Sequence, residues 1–415
     1  MKVDEFMFEI NSEVKKIMNL IESKGYEVYI VGGVVRDSIM GRKSNDYDLC
    51  TNIPLVKLMD DLPYLSMMSQ NEYRNTGIIH RGGVDIEITE FRGKNLNEDL
   101  SRRDITINSI SLTSDGKIVD PMDGVDDIKN QIIRINQGVI EYDPCIILRA
   151  FRFKGLLDFE FDEKSLNYVY NNKNMLVDVI PERVSKEICK ILVCDNAGDL
   201  ISRYRDIFFE IIPELKPLVG VDNGDGLDLF EHTMSVVNKT SPNLYLRLAA
   251  LFHDTGKVNG LDDYSKRSIE SFQSFASRLK IDKNTRYNVK KLMFFHDMSL
   301  VADKKTMAKF IHEIGVDSLD LLFELKLADI GARNNDIGTS VKEMNNLRET
   351  YLKFLETKPV VGIKDLEIDG KSLSQMSFDS KLVGVILYDV LGKVMNEELE
   401  NKRDVLEEYV SVKYR

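Results

Sequence analysis

The chain of 415 residues lacks any apolar run long enough to cross a membrane. A spanning helix needs about 20 consecutive apolar residues, whereas the most apolar windows here are short and interrupted by charges. The first ten residues, MKVDEFMFEI, are acidic, and a secretory leader would begin with a basic stretch followed by an apolar one. These absences predict a protein of the cytoplasm without a membrane partner.

Cysteine is scarce, with four residues at positions 50, 145, 189 and 194. The closest two, in CKILVC, lie too far apart for a zinc site of the short CxxC type. Buried free thiols are therefore predicted.

Basic residues are outnumbered, because 56 Lys and Arg face 68 Asp and Glu, for a net charge of −12. Nonspecific affinity for nucleic acid comes mainly from cationic side chains, so indiscriminate binding is disfavoured. The basic runs at 149–155, 282–291 and 303–310 leave room for local contacts with RNA, although most such runs are solvated helix faces.

The order of strand and helix signals predicts an α+β fold. Strand-like runs (EVYIVGG, VDIEITEF, SISLTS) and one helix ending near Gly25 occupy the first 112 residues, and long helical patterns follow from about residue 120. We predict a head with a small mixed β-sheet at 1–115, a helical neck at 116–215, a helical body at 216–345 and a helical tail at 346–415. The Gly- and Asp-rich stretch GVDNGDGLD at 220–228 is the best linker candidate.

Two acids follow a glycine-rich turn in YIVGGVVRDSIMGRKSNDYDLCT. A strand runs into Gly32 and Gly33, where the backbone can approach a phosphate closely. Asp46 and Asp48 begin the next strand and would point to one face, with Tyr47 and Leu49 on the other.

A third acid is available on VDIEITEF, where Asp85 and Glu87 share a face. Two or three carboxylates beside a phosphate cradle describe a Mg²⁺ site that activates a hydroxyl and neutralises a departing pyrophosphate. Taken alone, the two acids are more typical of a solvated surface turn; together with the preceding GG and RD, they favour the metal site.

Five motifs in order carry a resemblance: GGVVRD with NDYDLCT, EDLSRRDITINSI, DPMDGVDDIKNQIIR, YDPCIILRAFRF and PERVSKEICKIL. Together they resemble the class II tRNA nucleotidyltransferase (CCA-adding enzyme) and bacterial poly(A) polymerase family. The resemblance implies Mg²⁺-dependent addition of nucleotides to an RNA 3′ end without a nucleic acid template. The implied partners are tRNA or a tRNA-like RNA with CTP, ATP or both.

The resemblance also implies roles for individual residues. Asp46, Asp48 and Glu87 would form the catalytic, Mg²⁺-binding set. The nucleotide would be bound by Gly32, Gly33, Arg36, Arg103, Asp104, Asn108, Asp143, Arg149 and Arg152.

Two departures from the family pattern concern the choice of base. The base-reading motif has an acid and an arginine three residues apart on one helix face, and here Asp143 is present but Ile146 occupies the arginine position. Arg149, one turn further, is a candidate substitute. Ile146→Arg should sharpen selection if the helix face is otherwise intact. The connection at 93–97 is also shorter than in most of the family and resembles members that add only the two cytidines.

The second half carries an H…HD…D order in LFEHTMSVV, LAALFHDTGK and ELKLADIGARN. This resembles an HD-domain metal site, with Ni²⁺, Co²⁺ or Mn²⁺ as candidate ions. Two imidazoles and two carboxylates can hold one divalent metal and leave positions open for water and phosphate. The four residues are His232, His253, Asp254 and Asp329; His296 is a candidate helper, and His80 and His312 are expected to be ordinary histidines.

Three functions remain open from the sequence. The favoured one is an RNA 3′-end nucleotidyltransferase that adds the C residues of the CCA end to tRNA, with addition of the A left open. The others are an HD phosphohydrolase whose head serves as an RNA- or nucleotide-binding module, and a poly(A) polymerase. The sequence leaves the oligomeric state open.

Overall fold

In the computed structural model, residues 9–71, 74–333 and 338–414 are described, and the chain divides into two compact units. The first unit is Met1–Cys194 and the second is Asp195–Arg415. The boundary lies inside the predicted neck, and the finer division into four parts stays a prediction. The α+β fold class predicted from the sequence is confirmed.

The first unit contains a seven-stranded mixed sheet, in the order β3-β4-β5-β2-β1-β6-β7. Its strands are β1 Val28–Val31, β2 Asp46–Thr51, β3 Ser66–Asn71, β4 Arg74–Arg81, β5 Val84–Glu90, β6 Ser111–Leu112 and β7 Ile118–Val119. Strands β2 and β5 run parallel, and the other neighbouring pairs of this sheet are antiparallel. The parallel pair lies at the centre and brings the starts of β2 and β5 to the same edge.

Eight helices and a small second sheet complete the described part of the first unit. The helices are α1 Ser12–Ser23, α2 Gly33–Ile39, α3 Leu96–Ser101, α4 Gly124–Asn130, α5 Val139–Tyr142, α6 Ile146–Leu157, α7 Glu163–Asn172 and α8 Pro181–Leu192. The second sheet pairs β8 Ile132–Ile133 with β9 Glu160–Phe161 in parallel.

Local sequence signals explain where several of these helices begin and end. The side chain of Asn11 accepts a hydrogen bond from the Glu13 amide at the start of α1, and the chain turns at Gly25 with φ +81°. Helix α6 begins at Ile146 although the helical pattern starts at Tyr142. Pro144 explains the difference, because a residue before proline is disfavoured in the helical region and Asp143 is extended.

The second unit is helical throughout its described residues. Its helices are α9 Ala197–Arg203, α10 Arg205–Ile211, α11 Leu229–Lys239, α12 Leu244–Phe252, α13 Tyr264–Arg278, α14 Lys283–His296, α15 Lys304–Ile314, α16 Val316–Ala332, α17 Gly338–Glu356, α18 Gly370–Gln375, α19 Ser380–Met395 and α20 Arg403–Tyr414. None of the described helices has both the length and the apolar character that a bilayer crossing requires.

The predicted linker at 220–228 is a hydrogen-bonded turn within the second unit. The amide of Asn223 donates to the Leu227 carbonyl, and the amide of Gly220 donates to the Asp228 carboxylate. Asp228 also caps α11 through a reciprocal pair of hydrogen bonds with Glu231. The segment therefore orients the start of α11, and the division between units lies at Cys194 instead.

Candidate active sites

Strand β2 alternates buried and more exposed side chains, as its sequence predicts. Tyr47 and Leu49 are buried, whereas Asp46 is exposed and Asp48 is half-buried. The two carboxylates therefore share the face opposite the core side of the strand.

The register of β2 against β5 brings further acids beside this pair. Asp48 lies opposite Glu87, and Asp46 lies opposite Asp85. Asp85 is paired with His80 at 2.6 Å on the surface. The half-buried Glu87 is therefore the acid best placed to join Asp46 and Asp48.

Gly32 brings the backbone against the Asp48 carboxylate. Its φ is +77°, and a Cβ at this position would lie 2.6 Å from Asp48 Oδ2. Both the conformation and the space therefore require glycine. Gly33 begins α2 without such a constraint.

The chemistry of this donor set suits Mg²⁺. Asp46 and Asp48 on β2 lie beside Glu87 on the neighbouring strand β5. Mg²⁺ prefers oxygen ligands, with one or two carboxylates supplied by the protein and the rest by substrate phosphates and water. The residues present thus match the ion that the sequence predicts.

Arg103 and Arg36 are both buried and held by neighbouring acids. Arg103 makes two contacts to the Asp99 carboxylate, at 2.9 and 2.8 Å. Arg36 donates to Asp37 and, through Nη1, to Asn108 Oδ1 at 2.7 Å. These contacts place the predicted triphosphate-side arginine and the RRD motif in one network.

The network continues from Asn108 into the neck helix. Asn108 donates to Asp104 Oδ1 at 3.2 Å, and Arg149 on α6 lies 2.6 Å from Asp104 Oδ2. Burial opposes the charge on Asp104, but Arg149 and the Ile105 amide outweigh it and lower the pKa of Asp104. Asp104 is therefore ionised and engaged with Arg149.

A second arginine of α6 pairs with α8. Arg152 Nε lies 2.8 Å from Glu187 Oε2, and its guanidinium lies over the Phe153 ring at 4.4 Å. Burial lowers the pKa of Arg152 in spite of Glu187. Arg36 lies over the same ring at 4.9 Å, so Phe153 packs against two of the predicted nucleotide-binding arginines.

Asp143 lies three residues before α6 begins at Ile146, so its side chain is not on the face of that helix. It follows α5, and its Oδ1 accepts from the Cys145 amide at 3.2 Å. Ile146 is buried with 5% of its surface exposed. This burial weighs against the prediction that Ile146→Arg would sharpen base selection, because an arginine there would have to be accommodated in the core.

The four HD-type residues of the second unit lie together. His232 comes from α11, His253 and Asp254 follow α12, and Asp329 comes from α16. One ligand atom from each lies within 4.8 Å of the others, and all four side chains are buried. A Cβ at Gly256 would lie 2.1 Å from the Tyr264 carbonyl, so glycine is required where the chain turns after Asp254.

Buried polar atoms in this cluster lack well-formed hydrogen bonds. Among the described residues they include both ring nitrogens of His232, Nε2 of His253 and one carboxylate oxygen each of Asp254 and Asp329. Leaving such atoms unsatisfied is costly, and a metal ion would satisfy one ring nitrogen of each histidine and the two carboxylate oxygens. The His253 Nδ1 contacts the Ala250 carbonyl at 2.8 Å, which orients Nε2 towards the cluster.

Charged groups surround the cluster. Lys257 donates to Asp254 at 2.6 Å, Arg333 contacts Asp329 at 3.2 Å, and His296 lies 3.4 Å from Asp329. Burial opposes ionisation of Asp329, but His232 and His296 outweigh it and lower its pKa. The arrangement combines a dense set of metal donors with two cations that can approach a phosphate.

Sequence reasoning missed several partners of the predicted residues. These are Asp37, Asp99, Arg183, Glu187, Lys257 and Arg333. Asp99 and Arg333 lie four residues from Arg103 and Asp329, across the end of a helix, and this spacing signals side-chain contact. Arg183 and Glu187 lacked such a signal because their partners are distant in the sequence.

The cysteines and the remaining histidines have structural roles. All four cysteines are free; Cys50, Cys145 and Cys194 are buried as predicted, and Cys189 is only partly buried. His312 contacts the Val361 carbonyl, away from the cluster.

Residues 28–134 match the family described as the poly A polymerase head domain. The matched residues include the glycine turn, the three acids and the RRD motif.

Similarity to known proteins extends beyond residues 28–134. The chain is 34% identical over 179 residues to the CC-adding tRNA nucleotidyltransferase of Halalkalibacterium halodurans, covering 43% of this chain and 47% of that protein. It is 25% identical over 436 residues to the CCA-adding enzyme of Ligilactobacillus salivarius, covering 97% of this chain and 99% of that protein. For the first of these and for two Lactobacillus delbrueckii relatives, the match spans only about half of the relative's length.

Solved structures share the fold along nearly the whole chain. The Bacillus stearothermophilus CCA-adding enzyme in complex with CTP has a TM-score of 0.68 at 20% identity and covers 97% of both chains. The Thermotoga maritima CCA-adding enzyme in complex with tRNA has a TM-score of 0.61 at 20% identity, covering 99% of this chain and 97% of that one.

Proposed function

We propose that this protein is a template-independent RNA 3′-end nucleotidyltransferase that adds cytidines of the CCA end to tRNA. The observation that carries the proposal is the edge of the central sheet, where Asp48 lies opposite Glu87 and the Gly32 backbone lies against the Asp48 carboxylate. The similarity to CC-adding and CCA-adding enzymes supports tRNA as the RNA and CTP as a nucleotide.

Each group of residues has a task in this proposal. Asp46, Asp48 and Glu87 hold Mg²⁺, which lowers the barrier by neutralising charge on the phosphates. Arg36, Arg103 and Asn108 supply donors for the triphosphate and ribose. The RNA 3′ hydroxyl gives up its proton to a carboxylate or to water, its oxygen bonds to the α-phosphorus, the bond from that phosphorus to the oxygen bridging to the β-phosphorus breaks, and pyrophosphate leaves.

We further propose that addition stops after the cytidines. The connection at 93–97 is short, since Asn95 already caps α3, and no arginine occupies position 146. Addition of A from ATP is the alternative outcome. The cytoplasm remains the proposed location, in keeping with four free thiols in a reducing compartment.

Asp48→Asn tests the transferase. Transcripts of tRNA ending before or within CCA are incubated with one nucleotide at a time, and product lengths are measured on a gel. Losing a metal ligand should reduce incorporation by at least about 100-fold, because the metal supplies several kcal/mol of charge stabilisation. The melting temperature should change little, since the substitution also relieves repulsion between acids.

Asp60→Asn is the matched control, because Asp60 is an exposed acid of the same unit outside the site. It should incorporate cytidine like the wild type. Wild-type incorporation by Asp48→Asn would contradict the transferase mechanism. Addition of A by the wild type would contradict only the stop after cytidine.

A second activity is favoured by the buried cluster of His232, His253, Asp254 and Asp329. We propose that it binds one divalent transition metal, Ni²⁺, Co²⁺ or Mn²⁺, and hydrolyses 2′,3′-cyclic or terminal phosphates. The unsatisfied buried atoms of the cluster support metal binding, and Lys257 and Arg333 supply cations for the phosphate.

Metal analysis and a hydrolysis assay test this second activity. The protein should bind about one ion per chain and hydrolyse a 2′,3′-cyclic nucleotide, and His232→Gln should reduce both, because it removes one of only four ligands. His312→Gln is the matched control, since His312 lies in the same unit outside the cluster. Absence of a bindable ion would make the cluster purely structural.

A further inference from the structure

Asp143 faces an arginine that comes from a different helix. Arg183 Nη2, in the first turn of α8, donates to Asp143 Oδ2 at 2.5 Å. The Cys145 amide holds the other oxygen of Asp143. The pair reaches the surface, because 47% of the Arg183 side chain and 26% of the Asp143 side chain are exposed.

The arginines of α6 are engaged elsewhere. Arg149 pairs with Asp104 and Arg152 with Glu187, while Ile146 is buried. The Asp143 hydrogen bond raises the pKa of Arg183, against the effect of partial burial. A charged donor and a carboxylate acceptor thus lie side by side, open to solvent, in the same unit as the transferase site.

Such a pair can distinguish nucleobases by their edges. Cytosine and adenine each present an amino group next to a ring-nitrogen acceptor, whereas uracil and guanine present a carbonyl next to an N–H. A carboxylate accepts from the amino group, and a guanidinium donates to the ring nitrogen. With uracil or guanine, the carbonyl of the base would face the carboxylate and the N–H would face the guanidinium, so acceptor would meet acceptor and donor would meet donor.

We propose that Arg183 and Asp143 together read the edge of the incoming base, with Arg183 supplying the donors that position 146 lacks. This inference rests on the proposed nucleotidyltransferase function. It makes α8, and not α6, the source of the guanidinium. Arg183 is then a specificity-determining residue that touches the substrate.

The test compares kcat/KM for CTP and UTP on a tRNA transcript that ends before the first C of CCA. Arg183→Met keeps the length of the side chain and removes the donors, so the CTP-to-UTP ratio should fall roughly 10- to 100-fold. Arg183→Lys keeps the charge without the planar fork and should lose part of the ratio. The ratio is measured within one variant, so a smaller folded fraction cancels.

Arg205→Met is the matched control, because Arg205 is an exposed arginine at the start of α10. Its CTP-to-UTP ratio should equal that of the wild type. Asp143→Ala combined with Arg183→Met should lower the ratio no further than either change alone, since the two groups act as a unit.

The outcomes separate this inference from the function on which it rests. A wild-type protein that incorporates no nucleotide would overturn the transferase itself. Selective incorporation of CTP by the wild type, with an unchanged ratio in Arg183→Met and in Arg183→Lys, would overturn the role of Arg183 alone. Fully additive losses in the double variant would also overturn the joint reading by the pair.

Discussion

At the scale of single residues, the transferase site depends on a missing side chain at position 32. Gly32 ends the turn after β1 with a positive φ, and its backbone lies where any Cβ would meet Asp48 Oδ2. The neighbouring Gly33 has space for a Cβ, which would lie 3.6 Å from Arg36 Nη2. Two adjacent glycines thus have different reasons to be present.

Gly32→Ala should reduce nucleotide incorporation more than Gly33→Ala does. The added methyl must displace the Asp48 carboxylate, and the left-handed backbone costs a non-glycine residue about 1–2 kcal/mol. Initial rates with CTP and thermal melting would measure both effects. Equal rates for the two variants would show that the contact between Gly32 and Asp48 has no part in the activity.

Sequence reasoning identified the site residues that depend on local geometry. Alternation along a strand was enough to place Asp46 and Asp48 on one face, and the burial of Tyr47 and Leu49 agrees. Arg183 could not be found in this way, since it meets Asp143 across 40 residues of sequence. No local periodicity predicts a contact between residues that are so far apart in the sequence.

At the scale of elements, strongly patterned segments were predictable and polar strands were not. Strands β1 and β5 follow apolar runs that the sequence shows clearly, whereas β3, with the sequence SMMSQN, is largely polar and depends on pairing with β4. Helix α6 was predicted but begins four residues late, because Pro144 keeps Asp143 extended. Because of this shift, Asp143 does not lie on the α6 face and instead accepts a hydrogen bond from Arg183.

The composition of residues 220–228 predicted a linker, but the segment forms a hydrogen-bonded turn. Glycine and aspartate are typical of linkers, but they are equally typical of tight turns in which side-chain carboxylates accept backbone hydrogen bonds. Here Asp228 caps α11, and α11 carries His232. The segment contributes to the placement of a candidate metal ligand.

At the scale of the whole molecule, each candidate site is built within one unit. The acids of the head, the RRD motif and the Asp143–Arg183 pair lie before residue 195, and the four residues of the HD-type cluster lie after it. Each unit has its own buried apolar residues, including a cluster formed by Val31, Cys50, Leu96 and Leu100 in the first. The two chemistries therefore share no described residue.

Separate sites predict that the two activities can be removed independently. Asp48→Asn should abolish cytidine incorporation and leave metal-dependent hydrolysis within about two-fold of the wild type, and His232→Gln should do the reverse, because changes at sites that share no residues are expected to act independently. Both activities would be measured on the same preparations, with melting curves to verify folding. If either variant lost both activities while its melting temperature stayed unchanged, a single site would have to serve both reactions, and the assignment of one chemistry to each unit would fail.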